Sequence, residues 1–169
     1  MSPRATSNPV AKTHPTDGHD SSSAGLPTAR RSTSPYLRNV VHDGVMHVSG
    51  QLPYDGDAIT VTGAVGREVT VEQAKDAARL CALNVLAVVS AELGDLARIR
   101  QVLRVTGYVA CEPGFGGQPQ IMDAASAVFL EWLGERGRHA RTALGVTALP
   151  RNAPVEIDVT LAVDTGLDQ

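Results

Sequence analysis

A chain of 169 residues with 43% hydrophobic and 20% charged side chains has the size and composition of one soluble globular domain with a single core, and no second domain is expected. Residues 34–169 hold 11 basic against 16 acidic side chains, a balance that argues against nucleic acid as the main partner. Cys81 and Cys111 are too few for a disulfide framework or a cysteine zinc site and fit a reducing, cytoplasmic setting, and no run of about 18 apolar residues is present to cross a membrane.

Residues 1–33 are rich in Ser, Thr, Pro and Gly and lack apolar periodicity. Such a stretch buries too little surface to offset its ordering entropy, so a disordered leader is expected there, followed by one domain over 34–164 and a short tail over 165–169. It has no apolar core of a secretory signal. Order is expected from Tyr36. "RNVVHDGVMHVSGQLP" predicts two strands joined at Asp43-Gly44, a dipeptide that accepts the positive φ angles of a tight hairpin turn. His42 and His47 lie beside that turn without a third ligand, which fits surface histidines and not a metal site.

At Thr70 the period changes. Thr70 and Gln73 are spaced as a capping box, and Ala74, Ala77, Ala78, Cys81, Val85, Val88 and Val89 recur at helical spacing until Gly94 supplies a stop. Cys81 falls on that apolar face, as a small buried residue. "IRQVLRVTGYVAC" is dense in β-formers and predicts a strand, and "EPGFGGQP" a flexible loop, since it lacks the Lys-Ser/Thr ending of a phosphate cradle. A second helix is expected near Pro119, with Ile121, Ala125, Val128 and Trp132 on its inner face.

Two strands close the chain, "RTALGVTALP" and "APVEIDVTLAV". In the latter, Val155, Ile157, Val159 and Leu161 point one way and Glu156, Asp158, Thr160 and Ala162 the other. The order strand-strand, helix, strand, helix, strand-strand predicts an α+β fold in which two helices cover one face of a mixed sheet. The uncovered face is small and lightly charged, which suits burial against another subunit.

Three stretches, "SPYLRNVVHDGVMHVSGQLP", "EQAKDAARLCALNVLAVV" and "ARTALGVTALPRNAPVEIDVTLAV", together resemble the Rid family of reactive imine/enamine deaminases, the YjgF-type proteins, over residues 34–163. The resemblance implies a chorismate mutase-like fold and a homotrimer with clefts between neighbouring subunits. It implies hydrolysis of 2-iminobutanoate- or 2-iminopropanoate-like substrates, with a small carboxylate-bearing imino or keto acid as partner and neither cofactor nor metal. By the same resemblance Arg141 holds the substrate carboxylate, Glu156 handles the attacking water, and Tyr36 and Ser49 line the pocket. On the second helix, Asp123 and Ser126 stand where deaminating members often carry asparagine and tyrosine, and Asp123 is a further candidate for substrate binding. Ala143 stands where they often have cysteine. These departures, with the long segment "YDGDAITVTGAVGREVT", point to a side branch. They keep open a non-catalytic carboxylate-binding trimer, while a ribonuclease or translation-inhibitor role, also assigned within the family, would call for a basic cleft.

Overall fold

A computed structural model describes residues 24–30 and 35–166. The chain enters through a hairpin of β1 (Asn39–His42) and β2 (Val45–Gln51), joined by Asp43 (φ 48°) and Gly44 (φ 72°), the paired positive angles the sequence leads one to expect. A two-residue hairpin, β3 (Tyr54–Asp55) with β4 (Ala58–Ile59), follows within the long segment. Next come α1 (Val71–Leu93), β5 (Ile99–Ala110), α2 (Gln118–Leu133), β6 (Ala140–Val146) and β7 (Val155–Val163).

The main sheet has the order β1-β2-β7-β5-β6, with β5 and β6 parallel and the other neighbours antiparallel. Since β2 and β5 both run against β7, they run parallel to each other. The chain therefore makes two parallel crossovers, β2 to β5 through α1 and β5 to β6 through α2, and parallel neighbours require such long connections. Both helices lie on one face of the mixed sheet, and the α+β architecture follows.

Local chemistry fixes the helices. Thr70 Oγ1 accepts from the Gln73 backbone N–H at 3.2 Å while Gln73 Oε1 accepts from Thr70 N–H at 2.9 Å, closing the capping box. Gly94, at φ 81°, ends α1 by donating its N–H to Ser90 O. Ala74, Ala77, Ala78, Cys81, Val85 and Val89 face Val155, Ile157, Val159 and Leu161, all at 0–1% exposure, in a core of small aliphatic side chains. The buried Cys81 thiol is held well above its usual range, mainly by burial, and it packs as an apolar residue.

The folded part reaches back into the leader expected over 1–33. Leu26 packs against the core, Gly25 lies beside the Trp132 ring of α2, and Arg30 stacks over Tyr54 at 3.6 Å while pairing with Asp57 at 3.3 Å. Residues 1–23, 31–34 and 167–169 lie outside the described residues, and with them the rest of the leader and part of the tail. Among the described residues no helix is long and apolar enough to cross a membrane.

Gly137 marks the tightest backbone approach. A Cβ there would overlap the Phe129 carbonyl in the last turns of α2, a backbone neighbour that cannot swing away. Gly137→Ala is expected to lower stability by about 3 kcal/mol, the upper end for overpacking, measurable as a lower urea midpoint at unchanged slope.

Candidate functional site

Register decides where the candidate residues point. On β5, Val105 pairs with Arg141 of β6 on one side and with Val159 of β7 on the other, and both valines are buried beneath the helices. Directly opposed residues share a face, so Arg141 leaves the sheet on the helix side, at the edge strand. Tyr108 of β5 pairs with Glu156, which belongs to the alternate set Glu156, Asp158 and Thr160 on the uncovered face. Arg141 and Glu156 therefore lie on opposite faces of the sheet.

Each is the centre of its own group. Arg141, with 22% of its side chain exposed, reaches α2: Nη1 donates to Ser126 Oγ at 3.0 Å, and Nη2 contacts Pro119 O at 3.3 Å and Asp123 Oδ1 at 2.9 Å. Behind Ser126 stands His139, with Nε2 at 2.9 Å from the hydroxyl and Nδ1 at 2.6 Å from Gly137 O. A carbonyl only accepts, so Nδ1 carries the proton and Nε2 accepts from Ser126, whose oxygen in turn accepts from Arg141. Burial holds His139 below the usual imidazole range, and neighbouring Arg141 adds to this against the opposing hydrogen bond to Gly137. A neutral ring thus steers the serine, and the serine steers the guanidinium.

On the other face, burial pushes the Glu156 carboxyl above its usual range, and the negative charge of Asp158 adds to the effect. Asp158 accepts from the Tyr108 hydroxyl at 2.9 Å, which raises the phenol. Glu156 rests against Gly50, which has no side chain to exclude it. Ser49, one residue earlier, donates its hydroxyl to Leu37 O at 2.8 Å, which ties β2 to the segment bearing Tyr36. Tyr36 and Leu37 are 60% and 70% exposed beside this group. A half-buried carboxyl with raised proton affinity, beside Asp158 and the Tyr108 hydroxyl, is of a kind that can both take and return a proton.

The structure thus sets Glu156 against Gly50, next in sequence to Ser49, ties Ser49 to Leu37, next to Tyr36, and brings Asp123 to Arg141, but within one chain it does not join the two groups. Sequence reasoning assigned no role to His139, Tyr108 or Asp158. Asp158 has the same parity as Glu156 on β7, and that was its available signal. Tyr108 gave none, because β5 carries register irregularities between Ile99 and Arg104 that offset its alternation. Among the described residues no cluster of three or more His, Cys, Asp or Glu could hold a metal ion. His42 and His47 are exposed near the hairpin, contacting Asp43 and Thr160.

Gly50 allows a direct test of the Glu156 geometry. A Cβ there would overlap the carboxylate end of Glu156, which can move aside, so Gly50→Ala should fold normally and displace the acid. A moved Glu156 carboxylate in a crystal structure of the variant, at unchanged melting temperature, is the expected result.

Residues 23–160 match the family described as "YjgF/chorismate_mutase-like, putative endoribonuclease". Protein TCP17 of Trypanosoma cruzi is 39% identical over 140 residues, 82% of this chain and 88% of that protein. A crystal structure of a protein of unknown function from Agrobacterium tumefaciens is similar with 46% identity and a TM-score of 0.76, covering 77% of this chain and 83% of that one. The structure of RidA from an Antarctic Psychrobacter species, at 24% identity and a TM-score of 0.57, covers 82% of this chain and 98% of that one and shares the fold. With its sheet order, its two helices on one face and a family match spanning most of its length, the chain belongs to the YjgF/chorismate mutase-like family.

Proposed function

We propose that the protein hydrolyses reactive 2-imino or enamine acids to 2-keto acids and ammonium, in a homotrimer whose sites lie between neighbouring chains. The observation that carries this reading is the division of the site. A carboxylate clamp (Arg141) and a half-buried acid (Glu156) sit on opposite faces of one sheet, at its edge and on its uncovered face, an arrangement that favours a site completed by another copy.

The chemistry asks for little else. An imine carbon is already electrophilic, so water adds to it once the substrate is fixed and a base stands by. Arg141 grips the substrate carboxylate through charge-assisted hydrogen bonds and sets the carbon in place. Ionised Glu156 of the adjoining copy takes a proton from the attacking water and returns it to the departing nitrogen. Tyr36 and Ser49 line the same end of the cleft as Glu156. No metal or cofactor is required by this route.

The Arg141–Asp123 ion pair favours a second reading, a trimer that binds small carboxylates without turnover, since the clamp already holds an anion. A ribonuclease role, which the family description and the name of a Shewanella oneidensis relative (28% identical, TM-score 0.78) suggest, fits less well with Glu156 and Asp158 on the uncovered face. Ammonia release from 2-iminopropanoate generated in situ separates the first two. Saturable release above the spontaneous rate, from a species that light scattering sizes as a trimer, is expected. Saturable keto-acid binding without release would favour the binding reading, and a monomer would remove the shared site.

A further inference from the structure

We propose that Asp123 makes the Arg141 clamp selective for carboxylates that bear a cation on the adjacent carbon, so that it admits the iminium acid and rejects the keto acid formed from it. The inference rests on the reading of Arg141 as a carboxylate clamp. A guanidinium offers two planar grips to a carboxylate, one through Nε and Nη2, the other through Nη1 and Nη2. Nη2 is common to both. In this chain Nη2 meets Asp123 Oδ1 at 2.9 Å and Pro119 O at 3.3 Å, while Nη1 is engaged by Ser126. Any two-point grip therefore brings the ligand's carboxylate against the charge of Asp123.

The neighbours do not offset that charge. Ser126 and the Pro119 carbonyl are uncharged, and burial favours the neutral form of His139, so the Arg141–Asp123 pair sets the electrostatics at this end of the site. Asp123 is 70% exposed on α2 and can turn off the guanidinium at little packing cost, remaining within reach of the ligand. A 2-keto acid brings one negative charge and nothing to answer Asp123. A 2-iminium acid brings the same carboxylate and a protonated nitrogen one carbon away, which the displaced aspartate accepts as a hydrogen-bond donor. Hydrolysis consumes water and turns the C=NH₂⁺ group into C=O with release of ammonium, so the reaction itself removes the group Asp123 holds. The product then faces an unanswered carboxylate and leaves.

The imine is too labile for equilibrium work, so 2-aminobutanoate, a stable zwitterion, and 2-oxobutanoate serve as probes. Titration calorimetry on the full chain compares wild type with Asp123→Asn, which keeps the side chain's size and removes its charge. The variant is expected to bind 2-oxobutanoate about tenfold more tightly and 2-aminobutanoate no more tightly, the scale of one like charge near a part-exposed site. Raising the salt concentration should narrow the difference between the two proteins. Affinities that stay the same, or that change by one common factor for both probes, would overturn the selectivity and leave the clamp standing. If neither protein binds either probe more tightly than Arg141→Ala does, the clamp itself is overturned, and the selectivity with it.

Discussion

Replacing Arg141 by alanine is expected to lower affinity or rate toward 2-imino acids by about 30- to 4,000-fold, which corresponds to roughly 2 to 5 kcal/mol for a carboxylate left without its charged partner. The loss falls on the substrate, because Arg141 sits at the sheet edge with part of its side chain exposed and contributes little to the core. Arg141→Lys should recover only a fraction. A compact ammonium can satisfy Ser126 or the ligand, but it cannot reproduce a planar two-point grip while also holding Asp123. Steady-state ammonia release with circular dichroism as a control measures both variants. Equal rates in wild type and Arg141→Ala would mean that the substrate carboxylate is held elsewhere.

Glu156→Gln is expected to lower turnover by about 10²-fold while binding of the 2-aminobutanoate probe is kept, since the amide preserves shape and removes the base. Its pH dependence is the sharper observation. Glu156 works as a base only when ionised, and burial together with Asp158 raises its proton affinity. Activity should therefore fall with decreasing pH along a limb that lies above the usual carboxylate range, and that limb should vanish in the variant. Stability should move the opposite way. A carboxyl whose folded pKa is raised contributes most in its protonated form, below its unfolded pKa, and that contribution is lost as pH rises through the folded value. At mildly alkaline pH the glutamine variant, with no charge to bury, should melt at or above the wild-type temperature. An unchanged acid limb would place the proton transfer on another group.

Much of the scaffold could be read from local patterns. The Asp43-Gly44 turn, the Thr70–Gln73 capping box, the Gly94 stop and the alternation along β7 all appear in the structure where sequence chemistry puts them. Each is a short-range rule, fulfilled within a few residues. What escaped depends on partners distant in sequence. The residues around Leu26 and Arg30 have a leader's composition, and they pack because Tyr54, Asp57 and Trp132 receive them. The β3–β4 hairpin is two residues to a strand, too short to leave a period. Arg141 and Glu156 were each conspicuous in small or apolar runs, yet their opposite directions follow from the registers of β6 and β7 against β5, which neither strand encodes by itself. The contact of Asp123 with Arg141 likewise needs α2 laid across the sheet edge.

A division of one site between two chains can be tested by mixing the two damaged proteins. Arg141→Ala and Glu156→Gln protomers, unfolded together and reassembled at equal concentration, should regain ammonia release toward about a quarter of the wild-type value. In a cyclic trimer with random mixing, about that share of interfaces pairs an intact arginine from one variant with an intact glutamate from the other. Each variant reassembled alone should stay at its own low rate. Recovery in the mixture alone is the result expected of a shared site. A mixture no more active than the average of the two parents would contradict it, and would mean that Arg141 and Glu156 do not complete one another across chains.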